Sequence, residues 1–359
     1  MVSEPVSTQN KAVKIHLSDH EPQGCRDAVT LVVAARNEMA HLPESVPRFL
    51  ALEGVTDVVI VDDHSDDGSW AWLCSQCPKT KRLRVIRCPD IPPGWTAKSF
   101  ALSVGASAAR TPFLLFTDAD VSIAPTLVKR AVRMAISSKL DHVSGFFKIV
   151  CISFWEKCCG PLLAAIAVVA MELSAKQCGA GIGGFTLVRK ATYDAVGGHA
   201  SFRNAVVDDV SLARRIVSCG GKSVFLDLSG DVRVRLFSGA TGFFKAVERS
   251  TTGFLGRRAL LTAFLGGLIT FSSAFAWLIA LVLATRANVL WLAAGLVLIY
   301  FAGCFTMFRY RRYHTAPWIY CTLYLFALPL LGAAVLSGAS RQLLGAPIQW
   351  RGRTYTLKS

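Results

Sequence analysis

The sequence predicts an α/β fold, a mostly parallel sheet with flanking helices, followed by C-terminal transmembrane helices. Three observations predict it. Between Val29 and Phe116 short apolar runs alternate with stretches of helical spacing, which is how a parallel sheet with helices on both faces is written. Several runs end in polar or acidic residues, Arg36-Asn-Glu38, Asp62-Asp63 and Asp118-Ala-Asp120. After Ala259 come three long apolar runs without interior charge.

The elements follow in order. Met1 to Ala28 is polar and has no apolar run for a signal peptide, so it is expected to be a disordered arm. Val29–Ala34, rich in β-branched residues, is too short for a helix and predicts the first strand. A helix is expected over Leu42–Leu52, a strand over Asp57–Val61, and a helix over Trp70–Cys77, opened by the cap sequence Asp67-Gly-Ser69. Leu83–Ile86, Thr96–Ala109 and Phe113–Phe116 predict strand, helix and strand. Phe154–Cys178 is helical, and its central apolar stretch, Pro161–Met171, is too short to span a bilayer. It is expected to lie in the interface or beneath the site. Further strands are expected at Phe185–Val188, Ser223–Leu226 and Val232–Phe237, with helices at Val207–Cys219 and Gly242–Leu255.

The runs Ala259–Thr285, Ala287–Phe308 and Pro317–Gly338 each reach the roughly 20 residues that a spanning helix needs. Arg257, Arg258, Arg309, Arg311 and Arg312 place the preceding domain on the cytoplasmic side of a multi-pass cell-membrane protein. Three spans would put the tail outside, yet Arg341, Arg351, Arg353 and Lys358 argue for inside. Either the last run is a re-entrant hairpin broken near Pro329-Leu-Leu-Gly332 or the charge rule fails here. The expected organisation is an arm at 1–28, an α/β domain at 29–256, membrane helices at 257–340 and a basic tail at 341–359.

Composition agrees with a membrane partner. Of 359 residues 52% are hydrophobic and 18% charged, against roughly 45–50% and about 25% in soluble domains. Disorder and coiled coil are excluded on the same grounds. The 39 basic residues against 24 acidic give a formal charge of +15, which beside membrane helices points to anionic lipid and a phosphorylated substrate rather than nucleic acid. The 11 cysteines are irregularly spaced, and Cys74-x-x-Cys77 lacks the second half of a zinc site. They are expected to be reduced, packed thiols.

Ligands of such sheets sit beyond the carboxyl ends of the strands. Asp118-x-Asp120, on an extended segment, would place two carboxylates on one side, suited to a hard divalent cation beside a diphosphate. Gly179-x-Gly181-x-x-Gly184 matches a dinucleotide fingerprint in spelling only, because a helix precedes it and a strand follows. It is expected to be a flexible loop on the acceptor side. His64 and His199 lie within motif segments and receive no role.

Taken together, Val33-Ala-Ala-Arg-Asn-Glu38, Val59-Ile-Val-Asp-Asp-His-Ser-Asp-Asp-Gly68, Pro93-Gly-Trp-Thr-Ala-Lys98 and Phe116-Thr-Asp-Ala-Asp120 resemble family 2 glycosyltransferases in order and spacing. So do Gly183-Gly-Phe-Thr-Leu-Val-Arg189, Gly197-Gly-His199 and Val207-Asp-Asp-Val-Ser-Leu-Ala-Arg214. The trailing helices and Trp350-Arg-Gly-Arg-Thr-Tyr355 look like the lipid-modifying branch, with hopanoid-associated and carotenoid glycosyltransferases. The resemblance implies a GT-A fold and inverting transfer from a nucleotide-diphospho sugar to a membrane lipid hydroxyl (isoprenoid, carotenoid, hopanoid or glycolipid), with Mg²⁺ or Mn²⁺ as cofactor. Glu38 and Asp63 would contact base and ribose, Lys98 the nucleotide or diphosphate, Asp118 the ribose or metal, and Asp120 the metal. Asp209 matches the general base, with Asp208 where the family usually has Glu. Asp208, Lys245 and Arg249 are candidate contacts to diphosphate or acceptor. The rival readings are transfer to polyprenyl phosphate and a non-catalytic nucleotide-sugar-binding membrane scaffold. Processive synthesis is disfavoured because Gln-x-x-Arg-Trp is absent.

Overall fold

In the first strand, β1 (Val29–Ala35), side chains alternate between two buried faces, Leu31 and Val33 toward one core and Val32 toward another. Burial on both faces is what near-continuous apolar runs require. The computed structural model describes residues 28–205, 207–254, 260–272, 290–344, 346, 348–350 and 353–355. The expected arm at 1–28 lies, but for Ala28, outside the described residues.

β1 pairs in parallel with β2 (Val55–Asp62) on one side and with β4 (Phe113–Phe116) on the other, and β3 (Leu83–Arg87) lies beyond β2. Helices α1 (Leu42–Leu50), α2 (Ser69–Gln76) and α3 (Ala97–Ala108) make the connections. After β4 come β5 (Val121–Ile123), α4 (Leu127–Ser137), β6 (His142–Phe146), β7 (Lys148–Ile149), α5 (Phe154–Gln177), β8 (Thr186–Arg189), α6 (Lys190–Ala195), α7 (Asp208–Ser218), β9 (Ser223–Asp227) and β10 (Val232–Val234). The seven-stranded sheet has the order β3-β2-β1-β4-β8-β6-β9, and β8 alone runs against the rest. The mostly parallel sheet is therefore as expected. A small second sheet, β5-β10-β7, is foreseen by the sequence only at β10, which ends at Val234 rather than Phe237. The next residue, Arg235, leaves the ladder to pair with Glu156 at 2.8 Å.

Helix α3 sits low on the sheet. A Cβ added at Gly105 would come within 2.4 Å of Val32, so only glycine lets the helix approach β1 so closely. This fixes the start of α3, capped by Thr96, above the carboxyl ends of β1 and β4. α7 packs on the same face, with Leu212 and Ile216 in one cluster with Leu102, Leu114 and Phe116.

The later helices are α8 (Gly239–Phe254), α9 (Leu260–Ser272), α10 (Leu290–Arg309) and α11 (Tyr324–Leu343). α5, α8, α10 and α11 share a cluster that includes Leu162, Phe243, Met307 and Ala327. Glycines make the closest crossings. A Cβ on Gly332 of α11 would lie 2.8 Å from the Phe271 nitrogen of α9, and one on Gly338 2.7 Å from the Glu248 carbonyl of α8.

Two expectations change here. The last apolar run is no hairpin, because α11 continues through Pro329 and Gly332 to Leu343, after a 3-10 segment at Trp318–Leu323. The three expected spans are also not matched one for one. Among the described residues, the two helices long and apolar enough to cross a membrane by length and composition are Phe154–Gln177 and Trp318–Leu343. The central stretch of α5 is too short on its own, but the helix runs 24 residues with half its apolar window buried. Residues 273–289 of the first two runs lie outside the described residues.

Candidate active site

The site gathers where α3, α7 and the end of β4 meet. Lys98, in the first turn of α3, points its ammonium between two carboxylates, 2.8 Å from Asp118 Oδ1 and 3.4 Å from Asp208 Oδ1. Asp208 and Asp209 open α7, where the helix dipole favours negative charge. The Asp209 Oδ1 accepts the Val210 N–H at 2.7 Å. Lys98, Asp118, Asp208 and Asp209 line one crevice, with Gly183 as part of its wall.

Electrostatics divides the acidic pair. Burial disfavours the charged form of Lys98, but the carboxylates of Asp118, Asp208 and Asp209 outweigh it and hold the ammonium well above its ordinary range. Burial also works against charge on Asp208, yet Lys98 and then His199 hold it well below the usual carboxylate range. Asp209 goes the other way, pushed up by burial and by the neighbouring Asp208 charge against the pull of Lys98. Two adjacent acids thus differ in proton affinity, as an acid–base site requires.

The glycine segment is a loop, as expected, and its glycines lie at close approach to their neighbours. A Cβ on Gly181 would lie 2.3 Å from the Asp209 carbonyl, and one on Gly183 would lie 2.8 Å from Asp118 Oδ2 and 3.4 Å from Asp209 Oδ2. Gly184 is pressed in the same way against Phe147. These glycines bring the strand-end and helix-start carboxylates to a common wall.

Asp118-Ala-Asp120 is not extended either. β4 stops at Phe116, and Asp118 to Val121 form a turn closed by the Val121 N–H donating to the Asp118 carbonyl at 3.4 Å. Ala119 is buried and both aspartates are half-buried. Among the described residues no cluster of three or more His, Cys, Asp or Glu could cage a cation. A hard cation held by one or two carboxylates and completed by substrate phosphate needs no such cage, and carboxylate oxygens such as those of Asp120 are the donors it takes.

Glu38 and Asp63 lie at the ends of β1 and β2 and are buried. Their loops are stitched together: Arg36 donates to the Asp63 carbonyl at 2.9 Å, the Glu38 N–H to Ser69 Oγ at 3.0 Å, and the Met39 N–H to Asp67 Oδ2 at 2.9 Å. Asn37 takes a left-handed turn, φ 54°, to allow this. Asp62 is fully buried and paired with Arg87, with one carboxylate oxygen lacking a hydrogen-bond partner. Lys245 and Arg249 are exposed on α8, whose main partners are α5 and α11 rather than the strands bearing the carboxylates.

Sequence reasoning misses one pair. His199 is buried, its Nδ1 2.7 Å from Tyr193 Oη and its Nε2 3.9 Å from Asp208 Oδ2. Its place in Gly197-Gly-His199, one of the motif segments, is the available signal.

Comparison with known proteins agrees with this geometry. Residues 30–157 match the family model described as Glycosyl transferase family 2. No curated protein sequence matches. Among solved structures, the mannosyltransferase PcManGT from Pyrobaculum calidifontis, in complex with GDP-Man and Mn²⁺, is similar with a TM-score of 0.54 and 16% identity, over 88% of this chain and 86% of that one. S. aureus TarS is similar with a TM-score of 0.42 and 13% identity, over 65% of this chain and 41% of that one. Glucosyl-3-phosphoglycerate synthase from Mycobacterium tuberculosis, in complex with Mn²⁺, uridine-diphosphate and glucosyl-3-phosphoglycerate, has a TM-score of 0.41 and 16% identity, over 59% and 77% of the two chains. The chain thus has an α/β GT-A fold, and over residues 30–157 it carries the family 2 glycosyltransferase pattern.

Proposed function

We infer that the chain is an inverting glycosyltransferase that moves a sugar from a nucleotide-diphospho donor to a hydroxyl of a membrane lipid. The observation that carries this is Asp209. Its carboxyl is half-buried at the start of α7, across Gly183 from Asp118, and its proton affinity is raised by partial loss of water and by Asp208. A weak hydroxyl nucleophile needs such a base as it attacks the anomeric carbon. Glu38, Asp63 and Asp118 serve the nucleotide side, at the strand ends where such folds bind ligands. Lys98 balances the negative charge that gathers there. Asp120 would hold a divalent cation together with the donor diphosphate. That cation would neutralise charge on the leaving group.

The lipid acceptor rests on the apolar surface of the later helices. Ile166, Val169 and Leu173 are exposed on α5 at helical spacing. The same helix leads through Cys178 into the glycine segment beside Asp209. A multi-pass arrangement with the catalytic unit on the cytoplasmic face is part of the same reading, supported by the arginines between the apolar runs.

The test is Asp209→Asn, which keeps shape and removes the proton acceptor. Turnover falls by about 10²–10⁴-fold, while UDP or GDP affinity stays within a few-fold of the unmodified chain and the thermal melt is unchanged. Near-normal turnover in a folded Asp209→Asn protein sinks the reading.

A further inference from the structure

Asp208 precedes the proposed base and is gripped from two sides. Lys98 holds its Oδ1 at 3.4 Å. On the other side stands His199, 1% exposed, with Nε2 3.9 Å from Oδ2. The histidine is itself held from behind. Tyr193 Oη lies 2.7 Å from Nδ1 and accepts the backbone N–H of His199 at 3.2 Å. Because that oxygen already accepts one hydrogen, its own O–H is free to donate to Nδ1. Burial pushes the Tyr193 phenol up, which keeps that proton in place. With Nδ1 accepting that O–H, a neutral ring carries its hydrogen on Nε2, the nitrogen 3.9 Å from Asp208 Oδ2.

The backbone is built for this arrangement. Gly197 and Gly198 have φ of 84° and 49°. A Cβ on Gly198 would come within 2.6 Å of the Tyr193 ring. The 3-10 turn Gly198–Phe202 is therefore pressed onto the tyrosine, and only glycine admits that approach. Phe116, the last residue of β4, packs edge-on to His199 at 5.0 Å and is tilted against Tyr193 at 5.5 Å. The rings occupy fixed places between the sheet and α7. A histidine serving only to fill space would not need a tyrosine to select its tautomer or a carboxylate at its far nitrogen.

We propose that Tyr193 and His199 are positioning residues for the acceptor-side acidic pair: Tyr193 orients the His199 ring, and His199 sets its Nε2 edge 3.9 Å from Asp208 so that Asp208 stays an oriented carboxylate behind Asp209. The chain Tyr193–His199–Asp208–Lys98–Asp118 joins α6, α7, α3 and the end of β4. Acceptor activation at Asp209 is thereby tied to the strand end where the nucleotide is placed. Neither residue touches a reacting atom. This rests on the reading of Asp209 as general base.

The experiment uses the full chain in detergent. It measures nucleoside diphosphate release from a panel of UDP- and GDP-sugars with membrane lipid extract, and UDP and GDP affinity separately. His199→Phe keeps the ring packing and removes the donor. Its kcat falls on the order of tenfold, the effect of a lost polar partner beside a buried charge, with nucleotide affinity and KM for the donor unchanged. His199→Gln places an amide nitrogen near the Nε2 position and restores most of kcat. Tyr193→Phe keeps the ring packing and lowers kcat less than His199→Phe does. Unchanged kcat in a folded His199→Phe or Tyr193→Phe protein overturns the proposal, as does equal loss in His199→Phe and His199→Gln. Asp209→Asn in the same assay separates the two readings. If it turns over normally the base assignment falls; if it is inactive while His199→Phe is normal, only the positioning role falls.

Discussion

The stretch from Val29 to Val150 and the stretch after it are built from the same apolar residues in opposite ways. In the first, Leu31, Val58, Ile60, Leu114 and Leu115 are all fully buried. Every exposed large apolar residue among the described ones lies at Ile152 or beyond, from Phe154 on α5 through Leu268 and Ile269 on α9 to Leu298 and Phe305 on α10. Sequence charge changes further along, since no Asp or Glu occurs after Glu248. The first region is organised against water. The second keeps β8 and α7 in the core, with Leu187 and Ile216 buried, but its helices α5, α9 and α10 leave apolar faces outward, and helices pack through glycines as they do where the surroundings are themselves apolar. Large exposed apolar residues grouped on helices mark an interaction surface, and this contrast is the main support for the membrane part of the proposed function.

The largest effect that sharpens the contrast is in the sheet core. Leu115→Ala removes a side chain with 0% exposure in β4, and such cavities cost about 2–5 kcal/mol. A denaturant melt of the detergent-solubilised chain should record that loss. A change below about 1 kcal/mol would mean that the core relaxes freely and that the first region is less tightly packed than its burial implies.

Next comes the joint between the regions. Glu156, fully buried in the first turn of α5, pairs with Arg235 at 2.8 Å and accepts the N–H groups of Ile152 at 2.8 Å and Gly239 at 3.1 Å. One carboxylate therefore ties the ends of β7 and β10 to the starts of α5 and α8. Glu156→Ala leaves these donors without it and should cost about 1–3 kcal/mol. Limited proteolysis should then cut first near Arg235 or Arg233. An unchanged melt and cleavage pattern would show that the helices hold to the sheet by apolar packing alone.

How much of this is legible in the sequence follows the same divide. β1, β2 and β4 are readable because strands buried on both faces are continuous apolar runs. β5 and β7 have three and two residues, too few for any period, and exist because β10 arrives between them from far along the chain. Asp118 is visible as chemistry at a strand end, and Lys98, Asp208 and Asp209 through the resemblance to family 2 glycosyltransferases. His199 is not, since a histidine's role depends on neighbours that only the fold supplies. The glycines at 179–184 are legible as a loop but not as a wall, because close approach is a tertiary property. α5 is foreseen as a helix, but charges at its ends make its apolar part read as Pro161–Met171, whereas the helix is long and apolar enough to cross a membrane over its 24 residues.

A smaller effect separates buried polar from buried apolar groups inside the first region. His142 is fully buried in β6, with Nδ1 2.8 Å from Ser223 Oγ and Nε2 without a hydrogen-bond partner. Burial lowers it to about 4 from 6.5. The folded chain keeps it neutral while the unfolded chain binds a proton below 6.5, so acid favours unfolding, and stability declines as pH falls from 6.5 toward 4. Between about pH 6.5 and 5.5 this amounts to roughly 1 kcal/mol. His142→Gln should flatten the pH dependence of the melt over that range relative to the unmodified chain. Identical slopes would remove His142 as the source.

The smallest expected effect tests the second region most directly. Leu298 on α10 is 71% exposed, against 0% for Leu115. Leu298→Ala removes the same atoms as Leu115→Ala but opens no cavity. In detergent the micelle fills the vacated space, so stability should stay within about 0.5 kcal/mol. Binding to vesicles of mixed neutral and anionic phospholipid should weaken by at most about 2 kcal/mol, since the shortened side chain gives up three carbons, each worth about 0.8 kcal/mol when fully buried in lipid. Leu298→Asp distinguishes the surroundings. If the face lies in hydrocarbon, a charge at that position costs about 2.5–3.5 kcal/mol, and vesicle association should fall sharply while the detergent melt changes little. If Leu298→Ala destabilises the chain as much as Leu115→Ala does, that face packs against protein. The two regions would then follow one rule, and the lipid reading would lose its main support.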